Sequence, residues 1–297
     1  MREKDYIFKS YLSNPKYFAE FINSFIYGGK EIVKENELIA LDTLQFTNKS
    51  YKDRDNICAY MKDGVNKYCV IGIESQSYID YTMPIRCMQY DANTMARQYV
   101  RSKNVISNRL LPVITLVIFF SPKKWSGPRT LHEMYREHDE DINKYIPSYK
   151  MNLIEPYSMS DEEISSLTKA VRQIMLFEKY SNNREKLDKI MLDRNTFSKV
   201  ELDTAKFIKD ITNIDINIKE GEETIDMCKA WADQKEYGRT IGFNQGRSEG
   251  FNQGEIAAAI KFAKLLNWSV EETISKLVEI SGLSKEEAEE RVLNFEA

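Results

Sequence analysis

The chain has 297 residues, 42% of them hydrophobic and 11% aromatic, which supports a packed core and excludes a disordered composition. Its formal net charge of −4 excludes the overall basic excess that marks many nucleic-acid binders, so contact with DNA needs a local basic surface. The longest apolar stretch, Leu110–Phe120, carries Pro112 and Thr115 and is shorter than the roughly 20 residues a bilayer span needs; the opening MREKDYIFKSYL has no apolar signal region. A soluble, cytoplasmic protein without membrane contact is expected. Cys58, Cys69, Cys87 and Cys228 form no CxxC pair or zinc spacing and read as reduced core thiols.

Two helices open the chain. Asp5–Leu12 carries apolar positions at Tyr6, Ile7, Tyr11 and Leu12; after Asn14-Pro15, a helix-start signal, Phe18, Phe21, Ile22 and Phe25 recur at helical spacing until Gly28-Gly29. Three extended segments follow: Leu38–Phe46, Asp55–Met61 and Lys67–Ile73, the last two joined through Asp63-Gly64 as a hairpin. Met83–Ser102 reads as a helix with Pro84 in its first turn, and Leu111–Phe120 as a buried strand. From Ser160 onward the periodicity is helical, over Asp161–Tyr180, Arg184–Leu192 and Phe197–Ile211.

The C-terminal part repeats glycine every four residues, at Gly238, Gly242, Gly246, Gly250 and Gly254. It is either a flexible tether or a helix, near 222–262, whose glycine stripe lets the same segment of a second copy approach. Three short helices follow, two of them opened by Ser-x-x-Glu capping boxes at Ser269/Glu272 and Ser284/Glu287. The expected division is 1–155, 156–220 as a helical region, and 221–297 as the glycine-repeat helix with a small helical unit.

Chemistry concentrates on the hairpin. With Asp63–Asn66 as a four-residue loop, Lys62 faces Lys67, and counting outward sets Asp55 opposite Glu74. Opposed residues share a sheet face, their Cβ atoms about 4.5–5.5 Å apart, and Gln76 lies two residues beyond Glu74 on that face. A register slip of one would turn Asp55 away. Hard oxygen donors of this kind suit Mg²⁺ or Mn²⁺. The plainer reading is an Asp–Glu pair on a solvated sheet edge. Lys123-Lys124-Trp125 joins charge to an aromatic and could touch a DNA strand; a surface loop around one buried Trp is the plainer reading. His132 and His138 are six apart, off the spacing of a helical metal pair.

Several runs resemble one family. They are Arg54-Asp55, CVIGIESQS (69–77), YIDYTMPIR (78–86), Tyr90-Asp91, LPVITLVI (111–118), WSGP (125–128), LHEM (131–134) and the glycine repeat that follows DMCKA (226–230). In these the chain is similar to the YhgA-like, Rpn-type transposases, also called recombination-promoting nucleases, of the PD-(D/E)XK superfamily. The resemblance is dense from Glu20 to Met134 and covers most of the chain.

It implies an α/β fold: a restriction-endonuclease-like core of helix, three strands, helix and strand with a mixed sheet, followed by an all-helical C-terminal region. It implies a metal-dependent DNA endonuclease, transposase-like or recombination-promoting, using Mg²⁺ or Mn²⁺ on DNA. Asp55 matches the first acidic metal ligand and Glu74 the second. Gln76 stands where the superfamily motif usually has Lys, and Glu20 where many such nucleases have an acidic residue on the first helix. Glutamine carries no charge to steady a hydroxide, so Arg54, Lys67 and Arg86 are the candidate compensating and DNA-contacting cations. The alternative is a catalytically weak or inactive DNA-binding or regulatory protein on a nuclease fold; a further reading is an assembly module whose tail drives homo-oligomerisation.

Overall fold

The computed structural model describes residues 2–295 other than 42–43, 47–50, 54, 63–65, 102–108, 138, 213–215, 217 and 219–220. Helix α1 (Arg2–Tyr11) leads into α2 (Pro15–Phe25), where Lys16 N donates to the Asn14 side chain at 3.0 Å and Pro15 occupies the first turn. The turn after α2 closes at Gly29, whose φ is +83°. A Cβ there would meet the Ser166 carbonyl oxygen at 1.8 Å, so only glycine fits.

The strand segments then separate. β1 (Leu38–Ala40) joins the main sheet, whereas β2 (Leu44–Phe46) pairs with β3 (Tyr51–Asp53) in a ribbon of its own. The single strand expected over Leu38–Phe46 is therefore two. β4 (Asn56–Lys62) and β5 (Asn66–Gln76) form the hairpin. After α3 (Met83–Arg101) come β6 (Val113–Phe119), the short α4 (Glu140–Asn143) and β7 (Asn152–Ile154). The five strands run in the order β1-β4-β5-β6-β7; the first two pairings are antiparallel and the last two parallel, a mixed sheet.

The hairpin register corrects one expectation and keeps its result. Lys62 pairs with Asn66, not Lys67, because the turn is one residue shorter than four. A bulge between Tyr60 and Met61 restores the lost residue, so Tyr60 faces Cys69 and Asn56 faces Ile73. One step further out, Asp55 comes level with Glu74.

One sheet face carries Cys58, Tyr60, Cys69, Ile71, Ile73, Leu116 and Ile118, packed in one core with Phe8, Phe18, Phe21 and Phe207. Val117 and Phe119 alternate to the other face, against Met83 and Cys87 of α3, Trp125 and Met151. By the same alternation Glu74 and Gln76 face α3.

The helical region breaks where one helix was expected over Asp161–Tyr180, into α5 (Asp161–Ser165) and α6 (Lys169–Tyr180). α7 (Arg184–Met191), α8 (Arg194–Phe197) and α9 (Leu202–Thr212) follow. A strand pairing also occurs here: β8 (Val200–Glu201) with β9 (Thr224–Ile225). Ile174, Phe197, Phe207 and Ile208 belong to the core of the sheet's first face.

The chain divides into two compact units, Met1–Trp231 and Ala232–Ala297. The glycine repeat is helical: α10 runs over Met227–Leu265, and residues 232–255 of it are exposed. α11 (Val270–Ser281) and α12 (Lys285–Leu293) open on both capping boxes read from the sequence and share a small core of Ile260, Ile274, Leu277, Ala288 and Val292. Among the described residues no helix is long and apolar enough to cross a membrane.

Candidate active site

Asp55 precedes β4 and continues the ladder by its side chain. Ser75 N donates to Asp55 Oδ2 at 2.7 Å, and Asp55 N donates to Glu74 Oε1 at 3.4 Å. The two acidic residues thus interlock across the strand pair, each through the other's backbone segment. Glu74 is fully buried. Arg86, one turn into α3, sets Nη2 3.6 Å from Glu74 Oε2 and donates from Nη1 to Asp80 Oδ2 at 2.7 Å. Its Nη2 also donates to the Tyr90 hydroxyl at 3.3 Å. Arg86 is therefore held by carboxylates of its own chain, a buried counter-charge rather than a free surface cation.

Gln76 is 4% exposed, and its Oε1 has no hydrogen-bond partner among the described residues. A buried acceptor without a donor is costly and rare, and it marks a place where a cation or water would be favoured.

The electrostatics separate the carboxylates. Burial, aided by the nearby Asp5, lifts the Asp55 carboxyl above its ordinary value, against the Ser75 N–H, Lys9 and Arg86. Burial alone would also lift Asp80, but its hydrogen bonds from Thr82 and Arg86 hold it below the usual range. Burial and the Glu74 charge push the Tyr90 phenol up.

Of the other expected residues, Glu20 is not brought to this cluster. Its carboxylate accepts from Ala170 N at 3.3 Å, in the first turn of α6, and its electrostatic neighbours include Glu201 and Lys16. A carboxylate at a helix N-terminus satisfies free N–H groups and the helix dipole, which explains Glu20 without a metal. The acidic residue of the opening helices nearest to it is Asp5 on α1, which accepts from Ser75 Oγ at 3.4 Å, on the sheet face opposite Glu74 and Gln76, hydrogen-bonds Ser77 and acts on Asp55 by its charge. Lys67 lies seven residues from Glu74 along β5, on the order of 20 Å away at the rise of a strand, so it does not belong to the site. Arg54 lies outside the described residues. Asp5, Asp80 and Tyr90 are not among the expected site residues, although Asp80 and Tyr90 lie in the runs that carry the resemblance, Asp80-x-Thr82 is a recognisable turn and Arg86/Tyr90 a helical i, i+4 pair.

Among the described residues, no three His, Cys, Asp or Glu side chains stand close enough to enclose a metal. That disfavours a cage of protein ligands such as structural zinc requires. A hydrated hard cation such as Mg²⁺ asks less of the protein, commonly one or two carboxylates with waters and substrate phosphate completing its shell. The oxygens at this end of the sheet that would meet such an ion are those of Asp55 and Glu74, with the amide oxygen of Gln76 two residues along on the Glu74 face.

The family is given by the sequence. The family described as "Putative transposase, YhgA-like" matches residues 2–206, and the chain belongs to it. No curated protein and no solved structure matches the chain significantly.

Proposed function

We propose that the chain is a metal-dependent DNA endonuclease with a PD-(D/E)XK-type core, hydrolysing phosphodiesters in transposition or recombination. The observation that carries this reading is the interlock of Asp55 and Glu74 beside the partnerless, buried Gln76 Oε1. In this reading Asp55 and Glu74 hold Mg²⁺ or Mn²⁺. Such an ion, when bound, lowers the pKa of a water and stabilises the developing charge on phosphate oxygens. Gln76 Oε1 accepts a hydrogen bond from the attacking water and orients it, but it cannot take its proton, which passes to solvent or to a phosphate oxygen. Arg86 supplies the fixed positive charge that a lysine at 76 would have brought. The proposed setting is the cytoplasm, with self-association through the glycine-repeat helix.

One observation favours the second reading, a DNA-binding or regulatory protein with little catalysis: Arg86 already neutralises Glu74. Nicking of supercoiled plasmid separates the two. The nuclease reading expects nicking with Mg²⁺ or Mn²⁺, abolished in Asp55→Ala. Retarded plasmid without nicking under either ion gives the second reading.

A further inference from the structure

β5 and β6 run parallel, with Gln76 level with Phe119 and Phe120 N donating to Gln76 O at 2.8 Å. The loops that leave these strands therefore emerge side by side at the end of the sheet that holds Glu74 and Gln76. They are also clamped together. A Cβ on Gly127 would stand 2.8 Å from Ile79 Cγ2 and 3.1 Å from Trp125 Nε1, so the second loop lies hard against the first. Trp125 is buried, as its plainer sequence reading had it; its N–H donates to Glu155 Oε1 at 2.6 Å and its indole to Pro128 O at 3.3 Å. Trp125 anchors the loop and is not available to a ligand.

What the clamped pair leaves outside is two tyrosines and two lysines. Tyr78 and Tyr81 are 47% and 63% exposed, and Lys123 and Lys124 are exposed on the adjoining loop. What sets Tyr78 and Tyr81 apart from the other exposed tyrosines is their place, on the loop that leaves β5 just past Gln76 and against the loop carrying Lys123 and Lys124; Asp80 between them is already neutralised by Arg86. Rigid exposed rings offer faces on which bases stack without sequence preference, and flanking lysines meet the phosphates. A base inside a duplex cannot offer its face.

We propose that this rim, Tyr78 and Tyr81 with Lys123 and Lys124, is a platform for unpaired DNA, so that the site prefers single-stranded or locally melted strands to intact duplex. It rests on the nuclease reading for placing DNA at this end of the sheet, but its test does not need cleavage.

The experiment is fluorescence anisotropy of the full chain in EDTA, with a labelled oligothymidylate and a duplex of equal length as probes. The wild type should bind the single strand at least about tenfold more tightly than the duplex. Tyr78→Ala/Tyr81→Ala should lose about tenfold or more on the single strand, as expected for lost base stacking, and little on the duplex. Tyr78→Phe/Tyr81→Phe should keep the affinity, since the ring face and not the hydroxyl is used. Lys123→Gln/Lys124→Gln should weaken binding and flatten the salt dependence of single-strand binding by about 1.4 in log–log slope for two phosphate contacts. The proposal is overturned if the wild type prefers duplex or binds neither probe, or if the alanine pair binds the single strand like the wild type. A protein that stacks single strands through these tyrosines yet never nicks plasmid would sink the nuclease reading and leave the rim standing. Nicking that persists with no effect of the tyrosines would do the reverse.

Discussion

Arg86→Gln should unmask how much the site depends on one counter-charge. Glu74 is completely buried, Arg86 is 17% exposed, and the closest charged atoms are 3.6 Å apart. Removing one partner of a buried pair strands the other and costs about 3–5 kcal/mol. We expect the lower end, about 3 kcal/mol, because Glu74 also accepts from Asp55 N, and because partly buried Asp80 keeps its Thr82 hydrogen bonds. For a unit of this size that corresponds to a fall in Tm of roughly 6–12 °C. The sign with pH follows from which protonation state suffers. A stranded Glu74 is penalised only while ionised, so the loss should be full near neutrality and shrink as acid protonates it. Urea denaturation followed by tryptophan fluorescence, to which buried Trp125 contributes beside Trp231 and Trp268, measures both at about pH 7.5 and about pH 5. Added Mg²⁺ or Mn²⁺ should return part of the stability at the higher pH by replacing the lost cation. The Glu74→Gln/Arg86→Gln double variant should lie closer to wild type than Arg86→Gln alone. A loss below about 1 kcal/mol, or one equal at both pH values, would refute the idea that Arg86 is the counter-charge of Glu74.

Three other outcomes are expected. Burial raises the folded pKa of Asp55 above its ordinary 3.8, so this group's contribution to stability declines as pH rises from 3.8 through the raised value. Asp55→Asn should therefore be as stable as wild type or more so at neutral pH, with the difference closing in acid, and only the wild type should gain Tm from Mg²⁺; a clear loss of stability at neutral pH would contradict this. Gln76→Lys should fold and keep or raise the nicking rate, whereas a folded variant with no nicking would give the amide a role of its own. Changing Gly238, Gly242, Gly246, Gly250 and Gly254 to Ala should stabilise α10 by up to about 5 kcal/mol of helix propensity in total, read as ellipticity at 222 nm that survives to higher temperature, since an added Cβ at each meets nothing within 4 Å. If the stripe is where a second copy packs, apparent mass by light scattering should fall at the same time; wild type and variant both monomeric at all concentrations would rule that out.

Much of the sheet was legible because hydrophobic alternation and turn residues are local signals. β4, β5, α3 and β6 lie within a few residues of where periodicity put them. The opposition of Asp55 to Glu74 was also legible, although through two errors that cancel: a turn one residue too long, and an unseen bulge at Tyr60/Met61. Bulges leave no sequence mark of their own; the register that the bulge restores is the one that keeps Ile71 and Ile73 on the apolar face. The departure of β2 into a ribbon with β3, the pairing of β8 with β9 and the break between α5 and α6 were not legible, since each depends on distant packing. Gly29 illustrates the last: the Ser166 carbonyl lies where a Cβ on residue 29 would stand, an approach between segments far apart in the chain.

The acidic residue of the first helices shows where local reading fails at a site. Glu20 was the natural choice because it lies within the dense resemblance, yet the first turn of α6 draws its carboxylate away. The sequence reading of α1, with apolar positions at Tyr6, Ile7, Tyr11 and Leu12, leaves Asp5 off the stripe. In the structure Tyr6 is 72% exposed, whereas Phe8 is 1% and Leu12 2% exposed. That rotates the helix: Asp5, Phe8 and Leu12 then fall at i, i+3 and i+7, so Asp5 continues the buried stripe toward Ser75. An acidic residue in line with two core positions is the signal that identifies it. The choice of stripe could not be made from α1 alone, because Tyr6, Ile7 and Phe8 are all apolar and adjacent. It was made by Phe21, Phe120 and Phe207, which receive the Phe8 ring at centroid distances of 5.3, 4.2 and 5.9 Å. The side chain that decides which carboxylate comes to Ser75, beside Asp55, is thus an aromatic three residues away, and its partners come from three distant stretches of the chain.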